Sequence, residues 1–347
     1  PRRRAGGGIL MSRFDLPLEE LRRFRPVVDE PEDFDAFWRA TLAEARAAGG
    51  ETEVRDAGSP LRAIRASELV FPGFAGEPVH AWYLRPADGP EVLPAVIEFL
   101  GYGGGRGMAH QRMNWAAAGY AHIVMDTRGQ AAADTADPHG SEPSVPGFVT
   151  RGIAAPETYY YRRVFTDAVR CVDAVRGLDG VDPAAVAVSG GSQGGGIALA
   201  VAGLHHGVSA AIIDFPFLCH FRRAVGMTGR DPYQEVVRYL AIHRSRADAA
   251  FRTLSYFDGV SFAARAVAPA LFSAGLQDPV CPPSTVFAAF NFYSGDDKDI
   301  VTFEFNEHEG GGAEHWPTQV EFVDRRLGGP RAAAPHADLS LFAATGQ

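Results

Sequence analysis

Residues 187–200, AVSGGSQGGGIALA, read in immediate succession as an apolar strand, a serine set among glycines, and an apolar helix. A reversal this sharp pushes its central residue toward unfavourable backbone angles. Gly190 and Gly194 remove the side chains that would otherwise collide with neighbouring backbone. The turn leaves the Ser192 hydroxyl exposed at a helix start, where the first backbone N–H groups point at any negative charge that develops nearby. A bare G-x-S-x-G recurs by chance in glycine- and serine-rich loops. The strand before it and the helix after it make this one a nucleophile elbow.

The rest of the chain supplies a frame for such a turn. Phe34, Phe37, Trp38, Leu42 and Ala45 fall on one face of a helix over residues 32–48. Two strand-like runs, 63–71 and 79–84, flank Pro72-Gly73-Phe74-Ala75-Gly76 and read as a hairpin. Short apolar runs follow at 93–100, 121–125, 184–189, 210–213, 268–274 and 300–305, most of them separated by helical segments. Continuous apolar strands alternating with helices predict a parallel sheet covered on both faces. An antiparallel start feeding a mostly parallel sheet is the α/β-hydrolase layout. With 46% hydrophobic residues in 347, the chain can bury a large core, and we expect a single domain over residues 11–328. The connection over about 215–266 is too long for a simple crossover and carries Phe217, His220, Phe221, Tyr233, Tyr239, Phe251, Tyr256 and Phe257. It predicts a helical cap above Ser192, with most of these aromatics packing the cap onto the sheet.

A serine needs a base to take its proton, and the base needs an acid to hold its tautomer. In this layout the order is serine, acid, histidine, each at the C-terminal end of a strand. Asp278 follows the run FSAGLQ and His308 follows TFEFNE, so they fill those places. Asp214 also ends a strand, but Phe215-Pro216 comes at once after it, and it reads as pocket floor. His315 falls in the following helix and, like His110 and His243, reads as structural. The N–H groups of Gln193 and of Tyr102, in the glycine-rich loop after the third strand of the fold, are the expected oxyanion donors.

Other chemistries find little footing. The one lysine, Lys298, lies in the charged turn DDKD, which leaves no Walker A lysine. Gly101-Tyr102-Gly103-Gly104-Gly105-Arg106 breaks the dinucleotide fingerprint at its third glycine position. His308-Glu309 is half of H-E-x-x-H, but residue 312 is glycine. Cys171, Cys219 and Cys281 are widely spaced, which argues against a zinc knuckle or a disulfide framework and fits a reducing, cytoplasmic setting; Cys171 reads as a buried thiol. No metal or organic cofactor is expected. A net charge of −9 with scattered arginines predicts no nucleic-acid partner, and no apolar run reaches membrane-spanning length. Arg2-Arg3-Arg4 lacks the apolar region of an export signal, and Met11 reads as a natural start, so residues 1–10 are set aside as an upstream segment. Residues 329–347, rich in Ala and Pro, read as a loosely ordered tail.

The chain also closely resembles the carbohydrate esterase family 7 enzymes, the acetyl xylan esterases and cephalosporin C deacetylases, from about Met11 to Leu327. The matching segments are FDLPLEEL (14–21), DTRGQ (126–130), GGSQGGGIALAV (190–201), PFLCHFRRAV (216–225), FRTLSYFDGV (251–260), CPPSTVFAA (281–289) and HEGGG (308–312). The resemblance implies Ser192, Asp278 and His308 as the triad and Tyr102 and Gln193 as oxyanion donors, as the residues themselves do. It further implies that Phe217 and Pro232 line the acyl pocket, and that Arg128 and Gln130 brace the site. It implies a small acetylated substrate and a homohexamer whose active sites face an internal cavity. The chain departs from the family pattern at Leu100, commonly His, and Gly103, commonly Asn. Within the same fold, a broader acyl hydrolase (a thioesterase or peptidase) and a catalytically silent ligand-binding protein are the alternatives.

Overall fold

The computed structural model describes residues 15–132, 134–140 and 145–329; the expectations for residues 1–10 and for the tail after 329 lie outside the described residues. The chain enters through one helical turn, α1 (Leu18–Leu21), and the amphipathic α2 (Phe34–Ala47). Three strands follow: β1 (Glu53–Asp56), β2 (Ile64–Pro72) and β3 (Pro78–Pro86). Next come β4 (Leu93–Phe99), α3 (Asn114–Ala117), β5 (Ala121–Met125), α4 (Tyr160–Arg176), β6 (Val181–Gly191), α5 (Gln193–Leu204) and β7 (Ala210–Asp214). The excursion before β8 (Ala270–Gly275) contains α6 (Phe221–Met227), α7 (Tyr233–Ile242), α8 (Ala247–Ser255) and α9 (Gly259–Ala263). It is followed by α10 (Pro283–Phe292), β9 (Lys298–Phe303) and α11 (Gly312–Leu327).

The sheet order is β1-β2-β3-β5-β4-β6-β7-β8-β9. β2 and β3 form the expected hairpin, with Leu69 opposite Ala81 and Phe71 opposite Val79. From β5 through β4 to β9 all neighbours run parallel. The central strands are apolar at most positions because each face is covered. Ile97, Val188, Ile213 and Phe272 pack toward α2, α4 and α5, through Trp38, Phe165 and Ile197. Their neighbours Val96, Ala187, Ile212 and Leu271 pack toward α3 and α11, through Trp115 and Phe322. This is the α/β-hydrolase fold. No helix among the described residues is long and apolar enough to cross a membrane.

Three features depart from the sequence expectations. β1 has no apolar alternation to betray it, since all four of its residues are exposed; Glu53, Arg55 and Asp56 suit an open sheet edge, where charge opposes pairing with another chain. The 215–266 excursion is not one lid. Phe262 of α9 lies 5.4 Å, ring to ring, from both Trp38 and Phe165, so the end of the excursion belongs to the core below the sheet. Lys298 opens β9 rather than standing in a solvated turn; its ammonium donates to the Phe290 carbonyl (3.0 Å) and to that of Tyr293.

The N-terminal segment straps the later half of the chain together. Asp15 accepts hydrogen bonds from Ser284 N (2.7 Å) and the Arg223 guanidinium (3.1 Å). Asn291 donates to the carbonyls of Leu21 and Phe24, Trp38 Nε1 donates to Tyr256 O (2.9 Å), and Tyr256 returns a bond to Asp33.

Candidate active site

β6 lies inside the sheet between β4 and β7, and Ser192 follows it directly, with φ 56° and ψ −120° before α5 begins. The turn is held by backbone alone. Ser192 N–H donates to Asp214 O (3.0 Å), while Ser192 O accepts from Gly196 N (3.0 Å) and Phe217 N (2.9 Å). Strand and helix approach so closely that a Cβ at Gly190 would lie 2.3 Å from the carbonyl carbon of Gly194, and one at Gly194 would lie 2.1 Å from Phe99 O. Gly190→Ala should therefore cost about 3 kcal/mol, the upper end for overpacking, read as a lowered urea midpoint. An unchanged midpoint would mean the turn can open.

Asp278 and His308 come from the loops after β8 and β9. These loops touch: Leu276 N–H donates to Phe303 O (2.8 Å) and Gln277 N–H to Asn306 O (3.1 Å). Asp278 is 1% exposed. One of its carboxylate oxygens accepts from Val280 N (2.7 Å) and Cys281 N (2.9 Å), which fixes its rotamer; the other accepts from His308 Nδ1 (2.8 Å). His308 Nε2 stands 2.9 Å from Ser192 Oγ. A carboxylate only accepts, so Nδ1 carries the imidazole proton and Nε2 offers its lone pair to the serine hydroxyl. The structure thus brings together the serine, acid and histidine expected from the sequence. It also pairs the two rivals with each other. Asp214 accepts from Ser273 Oγ (2.7 Å) and Gln319 Nε2 (2.5 Å), and His315 Nε2 lies 3.3 Å from it, a buried cluster separate from the Ser192 hydroxyl.

Among the described residues, Asp278, Cys281 and His308 offer a set of metal-ligand types, their atoms within 4.8 Å of one another. Asp278 and His308 are already spent on each other, and burial pushes the Cys281 thiol up, which keeps it protonated. The arrangement is built to move a proton, and Cys281 is poorly placed to act as a thiolate.

The expected oxyanion donors are the N–H groups of Gln193 and Tyr102. Gln193 is the first residue of α5, so its N–H has no partner in a preceding turn. Tyr102 N–H has no backbone acceptor among the described residues. Beneath them lies a buried amide network. Gln193 Nε2 donates to Leu100 O (3.1 Å), Gly103 N–H donates to Gln130 Oε1 (2.7 Å), and Gln130 Nε2 reaches Gln193 Oε1 (2.9 Å) and Tyr160 OH (3.0 Å). Tyr161 OH closes it on Gln193 Oε1 (2.9 Å). Gln130 is carried there by Arg128, whose guanidinium grips Asp167 with two bonds (2.6 and 2.8 Å) and reaches Glu77. Gln130 holds the loop from behind through the Gly103 N–H, and Arg128 is anchored on Asp167 and Glu77 two residues before it. The asparagine absent at position 103 is unnecessary for this hold, because the backbone N–H makes the contact. On the cap side, Phe217 is buried with its ring 4.4 Å from Tyr233 and 6.3 Å from Tyr102. Pro232, also buried, precedes Tyr233 at the start of α7. One residue of this region that sequence reasoning missed is Glu235, whose carboxylate meets the Tyr102 phenol; no motif marks it.

A serine on a strand–helix elbow, hydrogen-bonded through histidine to a buried aspartate, defines a serine hydrolase of the α/β-hydrolase fold. The chain belongs to the acetyl xylan esterase (AXE1) family, whose model matches residues 11–325. It is 37% identical to an acetyl xylan esterase from Paenibacillus sp. R4, with a TM-score of 0.84 over 90% of this chain and 100% of that one. It is 31% identical to acetyl xylan esterase 1 from Thermoanaerobacterium sp. JW/SL YS485, with a TM-score of 0.82 over 89% and 99% of the two chains. The acetyl esterase Axe7A of Xylanibacter ruminicola is 26% identical over 292 residues, 82% of this chain; the match spans 65% of that relative's length.

Proposed function

We propose that the protein is a serine esterase that removes acetyl groups from small acetylated molecules, with acetylated xylo-oligosaccharides and cephalosporin C as the substrate types to try first. The observation that carries this reading is the unbroken relay from Ser192 Oγ through His308 to Asp278, at 2.9 and 2.8 Å. In this mechanism Ser192 Oγ attacks the acetyl carbonyl as His308 Nε2 takes its proton. Asp278 stabilises the imidazolium without becoming protonated. The N–H groups of Tyr102 and Gln193 receive the oxyanion of the tetrahedral intermediate. The imidazolium then protonates the leaving alcohol, and water, deprotonated by His308, repeats the sequence to release acetate.

The close set of rings on the acyl side, Phe217, Tyr233 and Tyr102, supports a short acyl group over a long one. Initial rates on p-nitrophenyl acetate, butyrate and octanoate test this. We expect kcat/KM to fall at least about tenfold from acetate to octanoate, equivalent to about 1.4 kcal/mol of transition-state binding. A preference for octanoate would move the reading to a broader acyl hydrolase, and no turnover of any ester would leave a silent binding fold. The hexamer and a cytoplasmic setting belong to the same reading. The resemblance supports the first, to be checked by analytical ultracentrifugation. Three unpaired, buried cysteines support the second, to be checked by fractionating cells.

A further inference from the structure

An oxyanion donor works only if its N–H is already aimed before the charge forms. The backbone on either side of Tyr102 is open, since a side chain added at Gly101 or Gly103 would meet nothing within 4 Å. The amides of Gln193 and Gln130 hold it from the sheet side. From the cap side it is held by the Tyr102 phenol. That phenol donates to Glu235 Oε1 and accepts from Gly147 N (3.1 Å) and Phe148 N (2.9 Å), while Glu235 Oε2 accepts from Val149 N (3.0 Å). The Tyr102 ring packs edge-on against Phe148 at 5.4 Å, and Phe148 lies 5.3 Å from Tyr160 of the amide network, so the two holds join. Glu235 is 7% exposed on α7, and its hydrogen-bond donors are neutral, a phenol and an amide. A carboxylate is costly to bury under such conditions, and burial pushes the Glu235 carboxyl up. A hydrophobic residue would pack α7 at less cost but could not hold both Tyr102 and the 147–149 segment.

We propose that Glu235 is a positioning residue of the oxyanion hole. By gripping the Tyr102 phenol from the cap helix, it sets the direction of the Tyr102 backbone N–H, so that α7 takes part in catalysis without touching substrate. The inference rests on the esterase reading above and on Tyr102 N–H serving as a donor.

The test compares Glu235→Gln, Tyr102→Phe and the double variant on p-nitrophenyl acetate, with melting temperatures measured alongside. Each single variant should lower kcat about tenfold with KM changed less than about twofold. The double variant should be no slower than the worse single, because Glu235→Gln takes away the charge and one of the two acceptor oxygens of the same hold that Tyr102→Phe breaks. A merely structural glutamate would shift melting temperature and leave kcat per folded molecule unchanged. The proposal is overturned by kcat within about twofold of the unmodified protein in Glu235→Gln, or by losses that multiply in the double variant. Should Glu235→Gln fold poorly, Tyr102→Phe decides, since it severs the same link and leaves the carboxylate in place; an unchanged kcat there overturns the proposal. Inactivity of the unmodified protein on acetate would instead count against the esterase reading itself.

Discussion

Ser192→Ala should lower kcat on p-nitrophenyl acetate by about 10⁴-fold or more while leaving the protein folded. The hydroxyl combines a lone pair at the elbow with a base 2.9 Å away. With it gone, His308 can still orient water, and the amides of Tyr102 and Gln193 can still receive an oxyanion. Triad deletions in serine hydrolases leave a residual rate about 10³–10⁴-fold above water for these reasons. The fold should not notice. The turn is held by the backbone of Ser192, through Asp214, Gly196 and Phe217, and the side chain is tied to the triad by its bond to His308. The measurement is initial rate against melting temperature for the two proteins. A residual rate within about tenfold of the unmodified protein would mean that another nucleophile does the work. Cys281 would then be the first to suspect, although burial holds its thiol protonated.

Arg128→Gln should cost about 3–5 kcal/mol of stability, the usual penalty for removing one partner of a buried ion pair. Both Arg128 and Asp167 are 1% exposed, and the guanidinium makes two bonds to that carboxylate and one to Glu77. Glutamine leaves the Asp167 charge buried with little but the Phe74 N–H to meet it. Burial already pushes the Asp167 carboxyl up, with Arg128 pulling against it. Without the arginine the carboxyl rises further, and the folded variant holds a proton that the unfolded chain releases. The native state then binds more protons than the unfolded state, so the variant's stability should be greatest at acid pH and fall as pH rises through that raised value. Urea midpoints at pH 5 and pH 8 measure this. A loss below about 1 kcal/mol at pH 8, or a loss larger at pH 5, would contradict the account. Activity should fall with stability, because Arg128 carries Gln130 to the oxyanion loop.

How much of this was legible in the sequence depends on whether a residue's partners lie along the chain or across it. Ser192, Asp278 and His308 each follow an apolar run, and their order along the chain is imposed by the sheet, so local pattern was enough. Asp214 also ends an apolar run, and only the fold reveals that it lies 3.3 Å from His315 Nε2. β1 could not be read because an exposed edge has no buried face to leave a period of two. The end of the 215–266 span looked like cap because aromatic content says that a residue is buried and not against what. Glu235 was invisible for a simpler reason: a glutamate in the first turn of an amphipathic helix is ordinary helix-surface chemistry, and Tyr102, which makes it unusual, is 133 positions away.

The N-terminal strap has a consequence for how the protein is made. Trp38 reaches its hydrogen-bond acceptor, the Tyr256 carbonyl, 218 positions later in the chain, and Asp15 and Asn291 make links longer still. At translation speeds of about 5–20 residues per second, the apolar face of α2 waits roughly ten to forty seconds on the ribosome for the part of its cover that Tyr256, Phe257 and Phe262 supply. Phe34, Trp38 and Leu42 are therefore available to chaperones, or to neighbouring nascent chains, throughout most of synthesis, and docking of this helix is a late event in the protein's birth.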